Sequence, residues 1–310
     1  MHIFDFRWDQ DSQKPYFEII KQNALEKKFL DFNTEISISI TRATPHCTGV
    51  LVNKEYQPCA HKNFGQKKCE FCKKAEDYFP CQLCNGFNCD RLCSGFKNCI
   101  CGTEHMLYLA LFDKNLVKVG VSGTKRGKTR QFEQGSHFTR LFAKGMSGKM
   151  ARRMESSIAK LGFPDKVPAA KKKNILFPEI SIEEGQKILE EKFELAKDQI
   201  ISLMPEMKKY IIEKSEISEY TEIFWDMRDF YKNISEEVQK KFPLPVHILS
   251  LEEGESVSGD LVMVKGPFLV IHTGTELAVL LSKDLVGGDI SFEKCEKGIT
   301  KNGGFQGGFF

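Results

Sequence analysis

Ten of the eleven cysteines in this 310-residue chain fall between Cys47 and Cys101; Cys295 stands apart. Residues 46–104 are rich in Cys, Gly, Asn and Lys and poor in branched apolar side chains. Such a stretch cannot bury a core unaided, so cross-links or metal must hold it. The chain has no apolar run approaching the ~20 residues of a membrane span. Its first residues, MHIFDFRWDQDSQK, carry acids where a signal peptide carries a basic lead. The expectation is a cytoplasmic protein with no membrane partner. In a reducing compartment stable disulfides are rare, and clustered thiols point to metal.

The spacing supports that reading. CEFC (Cys69, Cys72) and CQLC (Cys81, Cys84) are two CxxC knuckles. Two intervening residues let both sulfurs face one ion, and paired knuckles build four-thiolate zinc sites. Iron–sulfur clusters use similar pairs and are the alternative. Cys47, Cys59, Cys89, Cys93, Cys99 and Cys101 bring the set to ten, enough for one or two structural Zn²⁺ ions. Spacing alone does not group them. One division gives Cys47, Cys59, Cys69 and Cys72 to one ion and Cys81, Cys84, Cys99 and Cys101 to another, with Cys89 and Cys93 as substitutes. His61 is either a further ligand or a surface histidine.

The rest of the chain reads as α+β. Residues 1–45 form a β segment, with EISISI (Glu35–Ile40) alternating strictly. The Cys-rich module spans 46–104, and a basic α/β domain spans 105–175. There MLYLALF and LVKVGV are strands joined by a DKN turn, and GKMARRMESSIAKLG is a helix with Met150, Met154 and Ile158 on one face and Gly162 as its stop. A helical segment covers 176–242. It opens on the capping pattern SIEE, is interrupted at Pro205, and ends in a second, aromatic-rich helix, EYTEIFWDMRDFYKNISEEVQKKF. From 243 to 302 the strands HILSL, SGDLVMVKG, FLVIHTG, LAVLLS and DISFE suggest a small β-barrel or sheet. Residues 303–310 are a flexible tail.

Charge is unevenly spread. Lys118–Lys173 carries 15 Lys/Arg against 3 Asp/Glu, a balance of +12 (15 − 3), while the whole chain is only +3. That asymmetry fits a surface facing a polyanion. Lys118, Lys125, Arg126, Lys128, Arg130, Arg140, Arg152 and Arg153 are the candidate phosphate contacts, with RNA favoured over DNA.

Within the 105–175 domain Tyr108 lies on one predicted strand, Gly120 on the next, Arg126 and Arg130 follow, and Glu155 lies on the predicted helix. That order resembles the GIY-YIG nuclease superfamily, with LYL and KVG in the places of the signature triplets and Lys118 in place of the second tyrosine. The resemblance implies a small antiparallel sheet with helices. It also implies a tyrosine that activates water (Tyr108), an arginine that steadies the scissile phosphate (Arg126 or Arg130) and a glutamate that holds Mg²⁺ (Glu155). A broader resemblance covers roughly residues 45–290. HCTGV, PCAHK, CEFC, CQLC, His105 with LYLALF, KVGVSG, EQGS and SGDLVMVKGPFLVIHTG are similar to the domain-of-unknown-function family 2797. That family's name carries no activity, so function rests on the residues. Three readings follow: a zinc-containing nucleic-acid-binding protein, a Mg²⁺-dependent nuclease, and an RNA-modification protein. Oligomeric state is not legible.

Overall fold

The alternation in EISISI is realised as strand β4 (Glu35–Arg42). Ile36, Ile38 and Ile40 are buried on one face; Ser37 is buried on the other, its hydroxyl 2.7 Å from that of Ser258 on β12 (Ser256–Lys265). A strand covered on both faces belongs inside a sheet. β4 accordingly pairs antiparallel with β12 on one side and with β15 (Asp289–Ser291) on the other.

This computed structural model describes residues 1–53, 55–61, 63–76, 84–88, 100–177, 180–231 and 245–302. The chain divides into two units, Met1–Asp77 with Phe230–Phe310, and Tyr78–Asp229. In the first, one sheet runs β11 (Val246–Leu249), β14 (Leu277–Leu281), β13 (Phe268–His272), β12, β4, β15, β1 (His2–Trp8), β2 (Pro15–Lys21), β3 (Ala24–Phe29), with β16 (Gly298–Thr300) also on β12. β11 and β14 are parallel; the other named pairings are antiparallel. The segments read from sequence as 1–45 and 243–302 are thus strands of one sheet. Pairing across 221 positions, as between Ser37 and Ser258, leaves no local pattern. A short hairpin, β5 (Val50–Val52) and β6 (Glu55–Gln57), and the helix Glu70–Ala75 hang from this unit.

The second unit holds an antiparallel sheet in the order β10 (Phe224–Asp226), β9 (Phe138–Ser147), β7 (Glu104–Asp113), β8 (Leu116–Gly123). β7 and β8 form the expected hairpin, and the helix Thr129–Gln134 links β8 to β9. The helix Gly148–Ala159 starts at Ser147, whose side chain accepts a hydrogen bond from the Met150 amide. Ser181 caps Ile182–Leu203 in the same way, accepting from the Glu184 amide at 3.1 Å. One sheet face packs Leu107, Leu109, Val117 and Val119 under Ala151, Met154 and Ile158 and under Leu189, Phe193, Ala196 and Ile200. The opposite face holds Tyr108, Ala110, Phe112 and Leu116 beneath Val167 and Ile175. Among the described residues no helix is long and apolar enough to cross a membrane.

The second helix expected from EYTEIFWDMRDFYKNISEEVQKKF is corrected over its described part. Tyr220–Glu222 is a single 3₁₀ turn, and Phe224–Asp226 pairs with Phe138–Arg140 of β9 as β10. Aromatics suit a pleated surface as well as a helix face. Here Phe224 stacks on Phe138 and Tyr220, and an open sheet edge decides between the two. Residues 232–244 lie outside the described residues.

Candidate metal centre and tyrosine–arginine cluster

Cys47, Cys59, Cys69 and Cys72 converge, with all four sulfurs within 4.8 Å of one another. The β5–β6 hairpin brings Cys47, which precedes it, back beside Cys59, which follows it. Cys69 stands at the N-cap of the helix Glu70–Ala75 and Cys72 in its first turn. A tetrahedron with Zn–S arms of about 2.3 Å has edges of about 3.8 Å. The Cys59 and Cys69 sulfurs are 3.8 Å apart, a cation-sharing distance and far from a disulfide. The Cys69 amide donates to the Cys47 sulfur at 3.2 Å, as amides do toward metal-bound thiolates. The Cys72 amide, outweighing burial and helped by neighbouring thiols, brings the Cys69 thiol down to about 6. Burial holds Cys47 and Cys72 above the ordinary thiol range. The cluster could hold a metal ion such as zinc. His61 is not part of it; its ring is exposed and stacks on Phe71 at 4.4 Å.

Of the second expected group, Cys81, Cys89, Cys93 and Cys99 lie outside the described residues. Cys101, and the turn that follows Cys84, sit against the helix Gly148–Ala159. The Gly86 amide donates to the Cys84 sulfur at 3.2 Å. Gly86 has φ +80°, and a Cβ there would lie 2.4 Å from the Arg153 nitrogen, so only glycine permits this turn to dock. A Cβ on Gly148 would lie 3.1 Å from the Cys101 Cα.

Tyr108 and Gly120 are cross-strand partners. The tyrosine ring covers the glycine, and a Cβ at Gly120 would lie 2.6 Å from its hydroxyl oxygen. Tyr108 is 1% exposed. Arg130, on the helix Thr129–Gln134, hydrogen-bonds its side chain. Burial pushes Tyr108 up to about 12; the charges of Glu155 and Glu133 add to the rise, and Arg130 opposes it. Lys118, next on the same face of β8, is buried, donates to the Val119 carbonyl at 2.9 Å, and is brought down to about 8 by desolvation. Glu155 sits on a helix packed against the opposite face, yet its carboxylate reaches the edge of β8. It accepts from the Val121 amide at 3.1 Å and from Arg152 at 3.0 Å. Its charge acts on both Tyr108 and Lys118. Tyr108, Arg130 and Glu155 are therefore electrostatically connected, but they do not line an open cleft. Residues 164–175 cover the tyrosine face. They are pinned by Val119 donating to the Pro164 carbonyl (3.1 Å), by Lys172 donating to the Gln134 carbonyl (2.6 Å), and by a 3.2 Å contact from the His137 ring to the Ile175 carbonyl.

The expected phosphate contacts separate by burial. Lys125, Arg126 and Lys128 are exposed, and Arg130, Arg152 and Arg153 are half-buried. Arg126 and Arg130 both bind Glu133, an acid the sequence reading did not single out. Lys128 lies 5.2 Å over the Trp225 ring. Lys118 and Arg140 are corrections, because neither reaches the surface. Arg140 is 0% exposed; it donates to Glu190 at 2.8 Å, stacks 3.3 Å over Phe193, and shares Glu190 with the Tyr220 hydroxyl. It ties the helix Ile182–Leu203 to β9. Sequence reasoning also passed over Phe87. It is 52% exposed beside Cys84, with Arg153 4.9 Å and Lys160 5.6 Å over its ring.

No curated protein and no solved structure matches the chain. The profile of one family does, over residues 34–287, from before the first clustered cysteine to the last turn preceding β15. The chain belongs to the family described as Protein of unknown function (DUF2797).

Proposed function

We propose that the chain is a zinc-containing nucleic-acid-binding protein that takes single-stranded or locally unpaired RNA. The observation that carries this reading is Phe87, an exposed aromatic held on the turn after Cys84, beneath Arg153 and Lys160. Bases stack on exposed aromatics while neighbouring cations follow the phosphates. Exposed Lys125, Arg126, Lys128, Lys144, Lys166, Lys171 and Lys173 in the same unit extend the positive surface. Zinc in the Cys47–Cys59–Cys69–Cys72 cluster is structural, since four thiolates leave no open position. The test is fluorescence-anisotropy titration with a single-stranded RNA and its duplex at fixed salt. Phe87→Ala weakens the single strand by about tenfold, in line with the ~1–3 kcal/mol of one stacked base, and leaves the metal content unchanged. Equal affinity of Phe87→Ala and wild type would remove this reading.

A cleaving activity is the second reading, favoured by the electrostatic linkage of Tyr108, Arg130 and Glu155. Glu155 would hold Mg²⁺ and Arg126 or Arg130 would contact phosphate. It requires residues 164–175 to leave the tyrosine. Mg²⁺- or Mn²⁺-dependent cleavage that vanishes in Glu155→Ala while binding persists establishes it; binding without cleavage by the wild type excludes it.

A further inference from the structure

We propose that His2, His46 and Asp289 form a second cation site in the large-sheet unit, taking a borderline divalent transition metal such as Zn²⁺ or Co²⁺. The three residues come from β1, from the chain following β4, and from β15. Their donor atoms lie within 4.8 Å of one another. His2 and Asp289 are cross-strand partners, and the His2 Nδ1 lies 3.0 Å from the Asp289 Oδ1. That spacing is close to the ~3.3 Å edge of a tetrahedron with arms of about 2.0 Å, so one ion can take both atoms in place of the hydrogen bond between them. His46 Nδ1, the third donor, is buried and has no hydrogen-bond partner among the described residues. Buried polar atoms ordinarily find partners. A cation held by His2 and Asp289 supplies one.

The donor set decides the class of ion. Two imidazoles and a carboxylate, with no thiolate, suit Zn²⁺, Co²⁺ or Ni²⁺ rather than a soft ion. Three protein donors leave positions for water or an outside ligand, unlike the four-sulfur cluster. The second Asp289 oxygen keeps an ion pair with Arg42 at 3.4 Å, so the carboxylate serves the site through one oxygen. The His2 and His46 rings stack with centroids 3.6 Å apart and planes 13° from parallel. Their in-plane lone pairs run side by side, so a shared cation turns one ring out of the stack. This site is independent of the nucleic-acid reading.

The test uses the full chain without a purification tag, its thiolate sites first filled with Zn²⁺ and the more weakly held Zn²⁺ then removed by dialysis against a mild chelator, with Co²⁺ as the probe. One further equivalent of Co²⁺ binds, giving weak visible bands without thiolate charge transfer, and the His2 and His46 ring signals shift in ¹H–¹⁵N spectra. Asp289→Asn weakens that equivalent at least tenfold, and His46→Ala abolishes it. The ring signals of the wild type need no variant to fold. If they are unmoved by Co²⁺, the site does not exist. An added equivalent that survives both substitutions, or one with a thiolate band, likewise overturns it.

Discussion

Gly120 lacks a side chain because the Tyr108 ring occupies the place one would take. Gly120→Ala forces that ring from a packed position, and overpacking of this kind costs about 1–3 kcal/mol. In a Tyr108→Ala background the same change should be nearly neutral. A double-mutant cycle by urea denaturation measures the coupling, and additive effects would refute the contact. Lys118, two residues earlier, carries a pH signature. Its folded pKa is about 8 against an ordinary 10.5, and burial is the cause. Between those values the unfolded chain binds more protons than the folded one, so stability rises with pH. Between pH 7 and 9.5 the wild type should gain about 2 kcal/mol relative to Lys118→Met. Tyr108 acts oppositely, since a folded pKa near 12 favours the protonated native state and stability falls as pH climbs from 10 to 12. Chemical denaturation of wild type, Lys118→Met and Tyr108→Phe across this range separates the two. A wild-type-minus-Lys118→Met difference that stays flat would show that Lys118 titrates normally.

Among the elements, the β5–β6 hairpin and the helix Glu70–Ala75 have little core of their own; Cys47, Val50, Cys69 and Cys72 supply the buried residues. With so little apolar packing, a metal ion in the four-thiol cluster would be what fixes their geometry. Cys69→Ser should remove one equivalent of zinc and expose the amides of Cys47 and Thr48, which donate to Asn63 and Lys67 carbonyls, to rapid hydrogen exchange. The β7–β8 ladder should keep its protection. Metal analysis with exchange mass spectrometry reads both, and unchanged zinc content would dissolve the site. Local chemistry made these elements legible beforehand. EISISI shows its period, Ser147 and Ser181 sit where caps belong, and the four-cysteine group follows one division of the ten thiols. What escaped depends on partners far along the chain. Arg140 reads as a surface cation until Glu190, 50 residues on, buries it. Phe224 and Trp225 read as helix until the edge of β9 claims them. His2 and Asp289, 287 positions apart, give no signal at all.

At the scale of the whole molecule, the chain of one unit is interrupted by the other, which runs unbroken from Tyr78 to Asp229. The basic segment Lys118–Lys173 and Phe87 both belong to this inserted stretch. Its own core, from Leu107 and Val119 through Met154 to Phe193 and Ile200, closes within it. The large sheet keeps its partners without it, since β4 pairs with β12 and β15. Binding to polynucleotide should therefore travel with residues 78–229 alone. A single strand that engages five cations of this surface follows a log–log salt slope of about −3.5, so affinity falls about 100-fold between 50 and 200 mM salt. Expressed by itself with zinc, the 78–229 piece should melt cooperatively and reproduce both the affinity and the slope of the full chain. A fragment that folds but binds RNA much more weakly would move the contact surface to the large-sheet unit. A slope near zero in either protein would mean that phosphate charge is not what the +12 segment recognises.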